Sequence, residues 1–377
     1  MIEFSDGVFR LTTENTSYWF QITPFGHLEH IFYGPRLRDQ PPEALALKRT
    51  AVIGSSVYYD PSDTTYCLDN ICLEWSGIGR GDFRHPPVEI KMPDGTFTCD
   101  FKYVSHRIVN GFIPMKTLPS AYGNESECTA LEITLKDHSN DVILLMYYTV
   151  YEKTNVITRR TVLENHNEKP LTIRRLMSLM LDLPDRNFKM ITFDGGWIKE
   201  ANRHDVPLKY GIFVNSSTTG SSSNRHNPGF LLAERDATEQ NGYVYGFNLV
   251  YSGNHYGAAE LSNHRLVRVN LGINPHCFEW TLNKNESFET PEAIMTFSSG
   301  GFNGMSRNFH DFINSNIVRG DWKGKERPIV INTWESFFFK YNGRKLISLA
   351  RQAKKLGIEL FVLDDGWFGK RNDDNAG

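Results

Sequence analysis

Two adjacent carboxylates, Asp364 and Asp365, stand in the run Leu363-Asp364-Asp365-Gly366-Trp367-Phe368-Gly369, directly after an apolar segment. Ionised neighbours of like charge repel, so such a pair needs hydrogen-bond donors or a cation. Sugar hydroxyls are suitable donors, and a carboxylate–hydroxyl bond is charge-assisted. Trp334 holds a matching place, just past another apolar segment, in Asn332-Thr333-Trp334-Glu335. An indole can cover the apolar C–H face of a pyranose while acidic side chains take its hydroxyls. The chemistry these three residues suit is saccharide recognition. Two blander readings stand beside it: a helix N-cap for Asp364 or Asp365, and core packing for Trp334.

The elements that must position them read as strand, helix, strand. An apolar strand over 329–332 follows Arg327-Pro328. Asn342 caps a helix in which Leu346, Leu349, Ala350 and Ala353 recur at i, i+3, i+4 and i+7. Gly357 stops it, and a second apolar strand covers 358–363. Two apolar strands joined by a helix make a parallel βαβ unit, whose C-terminal strand ends form the active face in barrels and open α/β sheets. One such unit leaves sheet edges and faces uncovered, so the chain reads as a piece that stops just inside a second domain.

Upstream, short runs rich in Val, Ile, Thr, Tyr and Phe recur between turn residues. They include 131–135, 142–151, 156–164, 171–179, 242–251, 266–272, 277–282 and 293–297. That spacing predicts a large antiparallel sandwich. Two polar stretches, 202–211 and 216–227, read as loops interrupting it. Met305, Phe309, Phe312 and Ile313 then fall on one face of an amphipathic helix. The expected organisation is a β domain over 1–303, a connecting helix and linker over 304–327, and an incomplete barrel over 328–377.

Composition narrows the field. Among 377 residues, 41 Lys and Arg face 44 Asp and Glu, a net charge of −3. A dedicated nucleic-acid or membrane-surface protein would carry a basic excess. The N-terminal residues show no secretory pattern, and no apolar stretch approaches the ~18–20 residues that span a bilayer. The five cysteines lack paired spacing and read as reduced packing residues of a cytoplasmic protein. His27 and His30 form an HxxH pair, read as solvated loop histidines, since zinc wants three or four ligands. The stretch 320–326 resembles a P-loop only faintly, with Glu326 where a hydroxyl is required, and 323–327 reads as a solvated linker. No metal and no organic cofactor is expected.

Several separated stretches carry a family resemblance. They include Gly81-Asp82-Phe83-Arg84-His85-Pro86, His226-Asn227-Pro228, Gly272-Ile273-Asn274-Pro275, Thr290-Pro291-Glu292 and Gly304-Met305-Ser306-Arg307, besides the two runs at Trp334 and Asp364. In this order and spacing the chain resembles bacterial α-galactosidases of glycoside hydrolase family 36, nearly end to end. The resemblance implies a large N-terminal β-supersandwich followed by the first βαβ unit of a catalytic (β/α)8 TIM barrel. It implies retaining hydrolysis of terminal α-D-galactose from oligosaccharides such as melibiose and raffinose. It makes Asp364 and Asp365 ligands of the galactose 4- and 6-hydroxyls and Trp334 a wall of that pocket. It places the nucleophile and the acid/base on later barrel strands, so no catalytic residue is assigned within this chain. It also implies a homotetramer in which early sandwich loops reach a neighbour's pocket, although the stretch 44–59 lacks the acidic residue expected there. A reading of another class is a non-catalytic β-sandwich that binds sugar or mediates assembly.

Overall fold

Alternating burial along extended segments organises the molecule. In the strand Val142–Tyr151, Val142, Leu144, Met146 and Tyr148 are buried while Ile143, Leu145 and Tyr147 are partly open. Its neighbour Val156–Asn165 is buried along almost its whole length, as a central strand covered on both faces must be. The computed structural model describes every residue except 39, 48–53, 55, 56, 223, 376 and 377. Part of the stretch 44–59 therefore lies outside the described residues. The chain divides into two units, Met1–Ile317 and Val318–Gly377.

The first unit holds three antiparallel sheets. A four-stranded sheet runs in chain order through Ile2–Ser5, Val8–Thr12, Thr16–Ile22 and Leu28–Pro35. A six-stranded sheet orders Gly211–Ser216, His255–Leu261, Leu266–Ile273, Leu171–Pro184 and Trp280–Leu282, with Val88–Lys91 also on Leu171–Pro184. A ten-stranded sheet runs from the edge strand Asn202–Pro207 through Phe188–Asp194, Phe230–Glu234, Val244–Leu249 and Ala293–Ser298 to Val156–Asn165. It continues through Val142–Tyr151 and Cys128–Asp137 to Phe101–Asn110, with Ser287–Glu289 beside Val156–Asn165. All three sheets feed one core, for example Phe9 and Phe20, Leu179 and Val269, and Leu144 and Phe247. Each such side chain removed from water contributes about 1.5–3 kcal/mol.

Two charged clusters are sealed inside this core. Glu74 is fully buried and accepts from Tyr18 Oη at 2.6 Å, Tyr148 Oη at 2.6 Å and His30 Nδ1 at 2.7 Å. Arg159 Nη1 lies 3.3 Å from the same carboxylate. Burial pushes the Glu74 carboxyl up, but Arg159 and His30 outweigh it and hold it below its ordinary value. In the second cluster Arg268 bonds Asp182 at 2.8 Å and Asp82 at 2.7 Å, while Arg84 bonds the same two aspartates at 2.9 and 2.8 Å. Asp82 and Arg84 belong to the Gly81–Pro86 motif, so these two motif residues serve the buried ion cluster.

Four expectations need correction. His27 and His30 are buried, not solvated: His27 Nε2 lies 2.9 Å from Asp100, and His30 serves Glu74. The polar stretch starting at 202 is not a loop throughout, because Asn202–Pro207 pairs as an edge strand with Phe188–Asp194. The amphipathic helix spans Gly301–Phe312 and buries Phe302, Met305 and Phe312, whereas Ile313 is exposed where the chain enters a π turn. The strands of the second unit are shorter than read, Val330–Asn332 and Leu360–Val362.

In the second unit these two strands pair in parallel, with the helix Gly343–Lys355 between them in sequence. Asn342 Oδ1 accepts from Lys345 N at 3.1 Å, the expected N-cap. Gly357 takes φ +81°, the left-handed residue that lets the chain leave the helix. The fold class read from the sequence stands: an antiparallel β-sandwich followed by one βαβ unit of a TIM-type barrel.

Candidate active-site cleft

Parallel pairing brings the ends of Val330–Asn332 and Leu360–Val362 side by side, and the chemistry gathers there. Asn332 is the last residue of its strand and ties the two ends together. Its Nδ2 donates to Asp364 Oδ2 at 2.7 Å, and its Oδ1 accepts from Trp334 N at 2.8 Å. Thr333, buried next to it, receives Asp364 N on Oγ1 at 3.1 Å and donates its own N–H to Val362 O at 3.1 Å. These bonds fix where Asp364 and Trp334 leave the sheet.

The adjacent carboxylates acquire donors from the protein itself. Asp364 Oδ1 accepts from Asp365 N at 2.7 Å. Asp365 Oδ1 accepts from Gly366 N at 2.7 Å, and Arg371 clamps both oxygens, Nε at 3.0 Å and Nη2 at 2.8 Å. The hydrogen bonds from Arg371 hold the Asp365 carboxyl below the ordinary carboxylate range. Among the described residues no helix begins at Asp364 or Asp365, so neither is a helix cap. Gly366 has φ +93°, and a Cβ there would stand 3.1 Å from Phe339 and Tyr341. A tight left-handed turn thus follows the carboxylates, as only glycine adopts without strain.

Asp364, Asp365, Trp367, Phe368 and Arg371 line an open cleft of about 440 Å³. Trp367 is 65% exposed, a second indole facing solvent beside the carboxylates. Trp334 is not among the lining residues; it packs edge-on against Phe338 at 5.3 Å and Phe339 at 4.9 Å. The structure therefore unites Asp364 and Asp365 in one cleft and connects Trp334 to them through Asn332. Sequence reasoning missed Asn332 and Arg371. Asn332 had a signal, as a polar residue closing an apolar strand, whereas Arg371 sits in an unpatterned polar tail.

The arrangement can accept hydrogen bonds from a polyol against an aromatic wall. Among the described residues no group of three or more His, Cys, Asp or Glu could hold a metal ion. No described helix is long and apolar enough to cross a membrane.

The family model for the glycosyl hydrolase family 36 N-terminal domain matches residues 26–283, and the melibiase model matches residues 287–377. The chain belongs to glycosyl hydrolase family 36. It is 39% identical to the α-galactosidase AgaA of Geobacillus stearothermophilus over 97% of its length, covering 50% of that protein. It is 36% identical to the α-galactosidase Mel36A of Lactobacillus acidophilus over its whole length, covering 52% of that protein. The chain thus spans about half the length of these curated relatives. Among solved structures, the family 36 α-galactosidase AgaB of Geobacillus stearothermophilus superposes with a TM-score of 0.91 at 38% identity, over 99% of this chain and 51% of that one. A variant of AgaA from the same organism, solved in complex with raffinose, gives a TM-score of 0.92 at 38% identity over 97% of this chain and 51% of that one.

Proposed function

We propose that the protein is a retaining α-galactosidase that removes terminal, non-reducing α-D-galactose from oligosaccharides of the melibiose and raffinose type. The observation that carries this reading is the strand-end cleft in which Asp364 and Asp365 stand together in a chain of this family. Family membership supplies the reaction: related proteins are named α-galactosidases, and one relative was solved with raffinose bound.

In this reading Asp364 and Asp365 accept hydrogen bonds from the galactose 4- and 6-hydroxyls; Trp334, which does not line the strand-end cleft, is assigned to the wall of the sugar pocket by the resemblance alone. Hydrolysis with retention needs two further carboxyl groups about 5–5.5 Å apart, one attacking the anomeric carbon and one protonating the leaving oxygen. The resemblance assigns both to later barrel strands, so the residues described above bind and orient the sugar. The chemistry requires no cofactor. The resemblance further supports a homotetramer, and five free cysteines support a reducing, cytoplasmic setting.

The test is hydrolysis by the protein in its natural length. An aryl α-galactoside, melibiose and raffinose should be cleaved, and proton NMR should show α-galactose as the first product. Absence of turnover on all three, or β-galactose as first product, overturns the reading.

A further inference from the structure

A cleft of about 650 Å³ opens on the first unit, bordered by the strands Trp280–Leu282 and Ser287–Glu289. That volume lies within the roughly 300–1,000 Å³ of small-molecule sites. Its floor is aromatic. Trp280 is 49% exposed, with Phe288 behind it at 5.3 Å between ring centroids and Phe278 edge-on to Phe288 at 5.7 Å. The indole is thus braced on one side and open on the other.

Around this floor stand polar groups with capacity left over. Asn254 Oδ1 accepts from Gly220 N at 2.7 Å, and its amide nitrogen has no partner among the described residues. His276 is exposed and lines the cleft. Glu289 is a lining carboxylate whose charge is already balanced by Arg160 at 2.5 Å, while its other oxygen accepts from Lys116 N at 3.2 Å. Between His276 and Phe278 the chain turns through Cys277 at φ +54°. A left-handed conformation in a non-glycine residue is strained, and such strain collects at ligand clamps.

We propose that this cleft binds a neutral saccharide. The apolar face of a sugar ring lies on Trp280, and its hydroxyls bond Asn254, His276 and Glu289. A braced, half-open indole favours a ring with a C–H face, and amide, imidazole and a charge-balanced carboxylate match hydroxyls that both donate and accept. Lys116 is the single lysine or arginine lining the cleft among the described residues, too little charge to select an anion. The inference rests on first-unit residues and needs nothing from Asp364 or Asp365.

The test is calorimetric titration of this 377-residue chain with raffinose and maltotriose, and with galacturonate as a charged comparator. It is run on the unaltered chain and on the Asp364→Ala, Asp365→Ala double variant, which removes the other sugar-binding carboxylates. A neutral trisaccharide should bind the double variant as well as the unaltered chain in at least this one site. Adding Trp280→Ala should weaken that binding about tenfold or more, since truncated aromatic anchors dominate such contacts. If Trp280→Ala fails to fold by circular dichroism, Trp280→Phe and His276→Ala are read in the same titration and should weaken binding severalfold. No neutral saccharide binding to the double variant, unchanged affinity after the cleft substitutions, or preference for galacturonate overturns the proposal.

Discussion

Asp364 and Asp365 differ in how much of their acceptor capacity the protein already occupies. A carboxylate offers about four lone-pair sites. Arg371 and Gly366 N engage both oxygens of Asp365, whereas Asp364 takes one bond on each oxygen. Asp364 therefore has more capacity left for the sugar hydroxyl proposed above, and Asp365 is more firmly part of its loop. In the natural-length protein, Asp364→Asn is expected to lower kcat/KM by about ten- to a hundredfold, from loss of a charged hydrogen bond of roughly 1.5–3 kcal/mol. Asp365→Asn is expected to lower kcat/KM less and to reduce Tm more, because it releases Arg371. Paired kinetics and melting curves check this, and the opposite ordering would refute it. Because the Asp365 carboxyl lies below its ordinary value, its contribution is fully present above the unfolded carboxylate range. It is lost only as pH falls through that lowered value. The carboxylates were legible in sequence as an Asp-Asp-Gly-Trp run at a strand end. Arg371 was not, because its part depends on which atoms meet in space rather than on a pattern, and Asn332 showed only as a polar residue closing an apolar strand.

Strands with a buried face announced themselves by period and by β-branched and aromatic residues, as Val142–Tyr151 and Leu266–Ile273 do. Asn202–Pro207 did not. All its residues are exposed, so no apolar alternation marks Asn-Arg-His-Asp-Val-Pro, and only pairing with its neighbour makes it a strand. The helix Gly343–Lys355 was legible from its cap and stop, which are local chemistry. His27, just ahead of a strand, and His30, on it, were misread for the reverse reason, since their partners Asp100 and Glu74 lie far away in sequence. Two others couple the sandwich to pH. Burial lowers His85 to about 4, with Arg175 and Arg268 adding to the effect. Burial likewise lowers His255 to about 4, and neither of its ring nitrogens has a hydrogen-bond partner among the described residues. Below an ordinary value of 6.5 the unfolded chain takes up these protons and the folded chain does not, so stability should fall as pH drops from about 6.5 to about 4. Urea melts across that window should show the loss, roughly 1–3 kcal/mol per histidine. His255→Phe should flatten the slope; a slope unchanged by that substitution would assign the acid sensitivity elsewhere.

At the scale of the whole molecule the two units differ in how much they bury. Between Val318 and Gly377 only Thr333 and Ala353 are buried among the described residues, while Ile329, Val330 and Leu360 are 59%, 50% and 45% exposed. A sheet of two short strands is marginal alone. Hydrogen exchange on this chain should therefore show low amide protection at Val330–Asn332 and Leu360–Val362 and strong protection at Val142–Tyr151 and Val156–Asn165. Equal protection in both units would contradict it. In the first unit, Glu74 has a consequence for how the chain reaches its fold. Its partners at Tyr18, His30, Tyr148 and Arg159 come from two different sheets and lie as far as 85 positions away. A carboxylate cannot be buried cheaply until all of them have arrived. Glu74 thus works as a checksum on assembly: a mispaired or slipped strand leaves an ion sealed in oil, and that arrangement is rejected on energy before it can settle. Glu74→Gln should cost about 3–5 kcal/mol, since it leaves Arg159 without its counter-ion. It should also broaden the refolded population into several compact species resolvable by native electrophoresis. A variant that refolds to a single species as readily as the parent would show that the surrounding apolar strands verify their own register unaided.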